Sequence, residues 1–208
     1  MATRFDHLVV LTADLKESSA WLEERLGVPP KGAGKHAMMG THNALWGLGD
    51  SYLELIAVDP DAPRPARNRW FGFDDPEVQA RLAEGPYLGT WAVSTDDLPG
   101  LLAHAPEGMG PPEDFARDDL TWQVSIAEGP GLPLGGVWPL MIHWKTGMHP
   151  AERLGHQGLA LDSLVISGSG ADRAAAQFTG LERVQFAPGP GPTRLSATLN
   201  TPIGQVTL

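Results

Sequence analysis

Cysteine is absent from the 208 residues. Its absence excludes disulfides, thiolate metal ligands and a cysteine nucleophile. A metal site would therefore be built from imidazole, carboxylate, amide or water, a donor set that suits Zn, Ni, Fe or Mn. Long apolar runs are missing too, and no stretch approaches the ~20 residues of a membrane span. Basic residues are few: 15 Lys and Arg stand against 25 Asp and Glu, a formal net charge of -10. Such a surface does not favour nucleic acid or anionic membrane as partners, because both need Lys/Arg to release counterions. A Gly-rich phosphate loop ahead of Lys-Ser/Thr is lacking, and so is a Gly-x-Ser-x-Gly elbow. Residues 1–7 run straight into a strand pattern with no apolar targeting segment, so the expected compartment is the cytoplasm. What remains is an ordinary globular composition, 42% hydrophobic and 19% charged.

Residues 4–11, RFDHLVVL, alternate as a strand, with Phe5, His7, Val9 and Leu11 on one side and Asp6, Leu8 and Val10 on the other. Asp14 with Glu17 three residues on has capping-box spacing, and Leu15, Leu22 and Leu26 recur at helical intervals before Gly27 and Pro29–Pro30 end the run. Residues 35–49 read as two short strands around a Gly40–Asn43 turn. Residues 51–58, SYLELIAV, form the clearest strand: Tyr52, Glu54 and Ile56 point one way, Leu53, Leu55 and Ala57 the other.

A Pro/Arg-rich connector at 59–69 leads to a short helix opened by Asp75-Pro76 and running to about residue 84. Strand patterns follow at 88–95, 120–127 and 137–145, with a short helix near Leu101 and a Gly/Pro-rich break at 105–112. Matching Asp14-Leu15 with Asp97-Leu98 lays the second half over the first, with Thr90 at the position of His7 and PLMIHWK at that of SYLELIAV. The first half thus reads β-α-β-β-β and the second, with one strand fewer visible, is taken as a repeat of the same module. The tail adds a strand near 159–167, a helix near 171–181 and closing strands at RLSATLN and QVTL.

The expected architecture is α+β: two βαβββ modules and a C-terminal βαββ extension in one compact unit. The first module occupies 1–60, a connector with a short helix 61–87, the second module 88–147 and the extension 158–208. An opening DHLVV, a closing YLELI, the Gly40-Thr41-His42-Asn43 turn and the Pro139–Trp144 strand PLMIHW resemble the vicinal-oxygen-chelate superfamily. Within it they are most similar to the glyoxalase-like domain group of the glyoxalase/bleomycin resistance/dioxygenase type. The resemblance spans roughly residues 4–170. It implies two modules whose curved sheets enclose a cavity, with helices packed outside. Metal-dependent members place ligands on the first and last strands of each module, which here implies His7, Glu54, Thr90 and either Met141 or His143.

His7 and Glu54 also stand out without the resemblance, since each lies opposite the aliphatic face of its strand. A Glu in the middle of an apolar strand costs several kcal/mol to bury unless it is paired, protonated or metal-bound. Alternation in PLMIHWK separates Trp138, Leu140, Ile142 and Trp144 from Met141 and His143. If the latter face lines the cavity, His7, Glu54 and His143 make a 2-His-1-carboxylate set. Trp46, Tyr52, Thr90, Met141 and His143 are the candidate cavity-lining residues, and the seven tryptophans favour an apolar or aromatic small-molecule ligand. His104, His149 and His156 fall in polar segments and receive no role.

Two functions fit. One is a small-molecule enzyme of lyase, isomerase or dioxygenase type that uses His7 and Glu54, with a divalent metal (Zn, Ni, Fe or Mn) or with Glu54 as general base. The alternative is a metal-free binding protein of the bleomycin-resistance type that sequesters its ligand. A homodimer is compatible with either.

Overall fold

The computed structural model describes residues 2–208. Strand β1 (Thr3–Leu11) enters helix α1 (Leu15–Leu26), and three strands follow: β2 (Gly32–His36), β3 (Thr41–Gly47) and β4 (Tyr52–Val58). The Asp14 side chain accepts from the Glu17 amide at 2.9 Å, a cap of about 1 kcal/mol. At the far end Gly27 adopts the left-handed conformation (φ 73°) that closes the helix. Helix α2 (Pro76–Leu82) precedes the second module, which comprises β5 (Tyr87–Thr95), α3 (Leu98–Leu102), β6 (Met109–Arg117), β7 (Leu120–Ala127) and β8 (Leu140–Thr146). Asp97 caps α3 by accepting from the Gly100 amide, repeating the role of Asp14.

These eight strands form one curled half-barrel sheet in the order β2-β3-β4-β1-β5-β8-β7-β6. The modules meet at its centre, where β1 and β5 pair antiparallel. On either side the last strand of each module lies parallel to its first, β4 beside β1 and β8 beside β5. Helix α4 (Pro150–Leu154) then leads to the tail, β9 (Ala160–Gly168), α5 (Ala171–Gln177), β10 (Val184–Pro188), β11 (Arg194–Thr201) and β12 (Gly204–Thr207). The tail has one strand more than its sequence suggested. Its order, β10-β9-β11-β12, also differs from that of a main module.

The alternation of apolar residues separates two cores across the main sheet. On the outer side Leu8, Val10, Leu53, Leu55 and Trp91 pack with Leu22 and Leu26 of α1, Phe178, and Leu164 and Leu199 of the tail. Each of these buried aliphatic side chains contributes about 1.5–3 kcal/mol relative to exposure. On the inner, concave side Val9, Leu11 and Ile56 meet Trp70, Phe71, Phe115, Trp122 and Ile142. Among the described residues no helix is long and apolar enough to cross a membrane.

Candidate active site

A single irregularity in strand pairing assembles the polar end of the concave side. Strict alternation assigns Asp6 to the outer face with Leu8 and Val10. Between Phe5 and His7, however, the β1–β5 register slips. This bulge leaves Phe5 stacked on Trp91 in the outer core and brings Asp6 to the inner side beside His7. Asp6 Oδ1 lies 2.7 Å from His7 Nδ1. Its Oδ2 accepts from Trp144 Nε1 at 2.9 Å and faces His149 Nε2 at 3.0 Å.

Proton positions follow from these partners. Burial pushes the Asp6 carboxyl up, but hydrogen bonds from His149 and His7, and their charges, outweigh it and hold the group well below the usual carboxylate range. An ionised carboxylate only accepts, so His7 Nδ1 carries a proton and donates it to Asp6. His149 Nδ1 accepts from the Ala151 amide at 3.2 Å, so its other nitrogen is the one that donates to Asp6. Nε2 is then the His7 ring nitrogen left for other partners.

His7 Nε2 faces Glu54. His7 Nε2 and Glu54 Oε2 stand 3.6 Å apart, beyond hydrogen-bond length. The two side chains meet because β1 and β4 run parallel with Val9 opposite Glu54 and His7 opposite Tyr52, which makes His7 and Glu54 diagonal neighbours on one face. Both are buried, with exposures of 2% and 6%. The Tyr52 ring stacks on His7 at 4.3 Å and 18°, fixing the imidazole plane. Burial, then the Asp6 and Glu54 charges, raise the Tyr52 phenol well above its ordinary value, so it stays protonated. Glu54 Oε1 accepts from Asn43 Nδ2 at 2.6 Å. The carbonyl Oδ1 of Asn43 is buried with no partner.

These groups open onto a pocket walled by Trp70, Phe71, Trp122 and Trp144. Trp70 and Phe71 also border an adjoining pocket. Phe71 holds a left-handed backbone (φ 57°, ψ 20°), a strain of order 1 kcal/mol or more. The segment is fixed by Trp70, which stacks on Phe115 and donates to Thr41 Oγ1 at 3.1 Å. His36 and Arg117 line the same cavity. His36 Nδ1 lies 3.1 Å from Thr41 Oγ1 and its Nε2 lies 3.3 Å from an Arg117 nitrogen. Burial, then the Arg117 charge, lowers the His36 pKa to about 3.

The structure brings His7, Glu54 and Tyr52 together on one cavity wall and separates them from the remaining candidates. Trp46 packs in the outer core and donates to the Val28 carbonyl. Thr90 borders the adjoining chamber, its hydroxyl donating to the Gly136 carbonyl. In β8 it is Leu140, Ile142 and Trp144 that face the cavity. Met141 therefore sits in the outer core, and His143 points away and bonds to the Thr95 carbonyl at 2.8 Å. The tight turn also lies earlier than expected, at 37–40, so Thr41 and Asn43 belong to β3 and Asn43 faces the cavity. Sequence reasoning missed Asp6, Asn43, Arg117 and His149. A bulge, a misplaced turn and two contacts between distant segments put them there, and none of these leaves a periodic signal.

The four-residue divalent centre that the resemblance implied is not assembled: His7 and Glu54 meet, but Thr90, Met141 and His143 of the second module do not reach them. Among the described residues no group of three His, Asp or Glu converges as a metal site, fewer than a three- or four-ligand centre needs.

Comparison with known proteins agrees with the architecture. A protein of Staphylococcus aureus described as hypothetical superposes with a TM-score of 0.60 at 14% identity, over 93% of this chain and 88% of that one. Methylmalonyl-CoA epimerase from Streptomyces coelicolor, in complex with 2-nitronate-propionyl-CoA, gives 0.45 at 17% identity, over 71% of this chain and 100% of that one. The epimerase from Mycobacterium tuberculosis gives 0.41 at 16%, over 71% and 91%. At these identities the likeness is one of fold alone. No curated protein matches the chain. The family model described as glyoxalase-like domain matches residues 5–182, most of the chain. The protein belongs to the glyoxalase-like domain family.

Proposed function

We propose that this protein is a small-molecule enzyme of isomerase or lyase type that moves a proton on a carbonyl compound, with Glu54 and His7 as its acid–base pair. The observation behind the reading is the 3.6 Å gap between His7 Nε2 and Glu54 Oε2, buried at the cavity wall. With one proton between them, carried on Nε2 of a His7 imidazolium beside the Glu54 carboxylate, the pair is at once an acid and a base. Glu54 Oε2 accepts the proton from the carbon beside the carbonyl. His7 Nε2 donates to the carbonyl oxygen, so charge and protons balance and an enol results. Returning the protons in a different order, or to a different face, gives the isomer. Each such transfer typically contributes 10²–10⁴-fold to rate.

Asp6 is a positioning residue in this scheme, because it holds a proton on His7 Nδ1 and its charge supports the imidazolium whose Nε2–H is the acid. Asn43 orients Glu54, and the aromatic walls exclude water around the developing charge. No step in this scheme is routed through a metal.

The test is to incubate chelator-treated protein with a panel of chiral 2-substituted carbonyl compounds and follow optical purity by chiral chromatography. Turnover by the wild type, lost in Glu54→Gln and in His7→Gln, is the expected result. Saturable quenching of Trp fluorescence with no conversion of any bound compound would favour sequestration instead. Activity that disappears with the chelator and returns with stoichiometric Zn, Ni, Fe or Mn would overturn the metal-independent scheme.

A further inference from the structure

The cavity holds one cation with no anion to match it. Arg117 ends β6 at the far edge of the main sheet and reaches across to β2 of the first module. There its guanidinium occupies the space that a side chain at Gly34 would fill, since a Cβ on Gly34 would collide with it. Its one hydrogen-bond partner among the described residues is the His36 ring, at 3.3 Å. Arginine cannot accept, so His36 Nε2 is the acceptor and Nδ1–H donates to Thr41 Oγ1. The lowered pKa of His36, to about 3, agrees with a neutral ring held against a fixed positive charge.

Other arginines near Arg117 are matched by acids. Arg67 pairs with Glu113, Arg64 and Arg69 with Asp74, and Arg153 with Asp119. Arg4, Arg81 and Arg194 lack an oxygen partner as well, but they are exposed and served by water. Arg117 is half-buried at a cavity wall in a chain with ten more acidic than basic side chains. Leaving such a group without an oxygen acceptor costs free energy that a bound anion would recover. The nearby acids do not fill the role: Asp6 already accepts from three ring N–H groups, and Glu54 is held by Asn43.

We propose that Arg117 reads a carboxylate on the substrate, so that the molecule processed by His7 and Glu54 is a small carbonyl compound bearing a free carboxylic acid. The reaction class rests on the preceding proposal; the carboxylate does not. A planar guanidinium matches a planar carboxylate through two parallel N–H···O bonds. A phosphate would be poorly served, because the cavity offers it one cation and no glycine-rich loop, and the one helix start that borders it, at Pro150, lacks an N–H and has its next amide taken by His149. The orphaned Asn43 Oδ1 adds a second requirement, a hydrogen-bond donor on the same ligand such as a hydroxyl or enol.

The test measures binding by ligand-observed NMR to Glu54→Gln protein, so that it does not depend on turnover. The probes are pyruvate, 2-oxobutyrate and acetoacetate, each beside its methyl ester, with inorganic phosphate as competitor. Acids are expected to bind at least tenfold more tightly than their esters. Arg117→Gln should remove about 10- to 100-fold of that affinity, the range for charge-assisted hydrogen bonds, and leave ester binding unchanged. Gly34→Ala, which displaces the guanidinium without touching its charge, should weaken acids alone. Equal affinity of acids and esters, no effect of Arg117→Gln in a variant shown folded by its NMR spectrum, or competition by phosphate at equal concentration would each overturn the proposal. A failed acid–base scheme would show differently, as acids that bind wild-type protein through Arg117 and are never converted.

Discussion

Asp6→Asn keeps the shape of the side chain and removes its charge together with one acceptor position. In the native protein Asp6 meets three N–H donors, on His7, Trp144 and His149. An amide has one oxygen, so it can present an acceptor to His7 or to the Trp144/His149 pair, with its NH₂ toward the other. The indole of Trp144 cannot lose its hydrogen, and the His149 tautomer is fixed by the Ala151 amide. His7 alone can adapt, by moving its proton from Nδ1 to Nε2. The variant should therefore carry His7 as the neutral Nε2–H tautomer, closing onto Glu54 and without the Asp6 carboxylate that supports the imidazolium acid.

Breaking a buried charge network of this kind costs about 3–5 kcal/mol. At a urea m-value of roughly 2–3 kcal/mol/M for a chain of this size, the midpoint should fall by about 1–2 M. Turnover should drop by roughly 10²–10⁴-fold, the worth of a lost general acid or base. Two-dimensional ¹H–¹⁵N long-range NMR reports the tautomer directly, and urea unfolding reports the cost. Asp50→Asn serves as control, because its ion pair with Arg183 lies at the surface and should cost less than about 1 kcal/mol. His7 remaining Nδ1-protonated in Asp6→Asn, with turnover within about threefold of wild type, would refute the reasoning.

Three further outcomes follow. The folded-state pKa of His36 is lowered to about 3 against an ordinary 6.5, so the unfolded chain binds a proton that the folded one refuses. Stability should then decline as pH falls from about 6.5 toward 3, by up to ~1.4 kcal/mol per pH unit, and His36→Gln should flatten that limb in urea titrations at pH 4 and 7. An unchanged limb would assign the loss to other groups. Asn43→Ala removes the donor on Glu54 and also an unsatisfied carbonyl, two effects of opposite sign. Melting should move by less than about 2 kcal/mol while turnover falls tenfold or more, and a large stability loss without a rate effect would contradict the role given to Asn43. Gly49 and Gly136 share φ +95°, but a Cβ at Gly49 meets nothing within 4 Å whereas one at Gly136 strikes the Gly89 carbonyl. Gly49→Ala should cost about 1 kcal/mol and Gly136→Ala more than about 3 by chemical denaturation, with equal costs ruling out the steric account.

Much of this fold could be read from residue order, because its determinants are local. Asp14 and Gly27 bound α1 through caps that a sequence displays, and the split of SYLELIAV into two faces puts Glu54 and Leu55 where they lie. Strand β6 was not legible: Gly110, Pro111 and Pro112 read as a loop, yet prolines are tolerated in an edge strand whose register slips between Met109 and Pro112. Half of the site was hidden for a related reason. Alternation places His7 correctly and Asp6 wrongly, since one extra residue in a pairing reverses a face while leaving composition unchanged. His143 failed differently: its strand alternates as expected, but which face turns inward is decided by how the sheet curls. Arg117 and His149 arrive from 110 and 142 residues beyond His7, and nothing near either announces the meeting.

The proposed proton chemistry is tested most directly by dissolving chelator-treated protein in D₂O with a bound 2-oxo acid and following deuterium at the carbon beside its carbonyl by NMR. The account predicts that wild-type protein washes deuterium in, and that Glu54→Gln slows this by at least about 10²-fold while still binding the acid. Exchange that proceeds equally in Glu54→Gln, or a saturated wild-type complex with no exchange above the solvent rate, would contradict it.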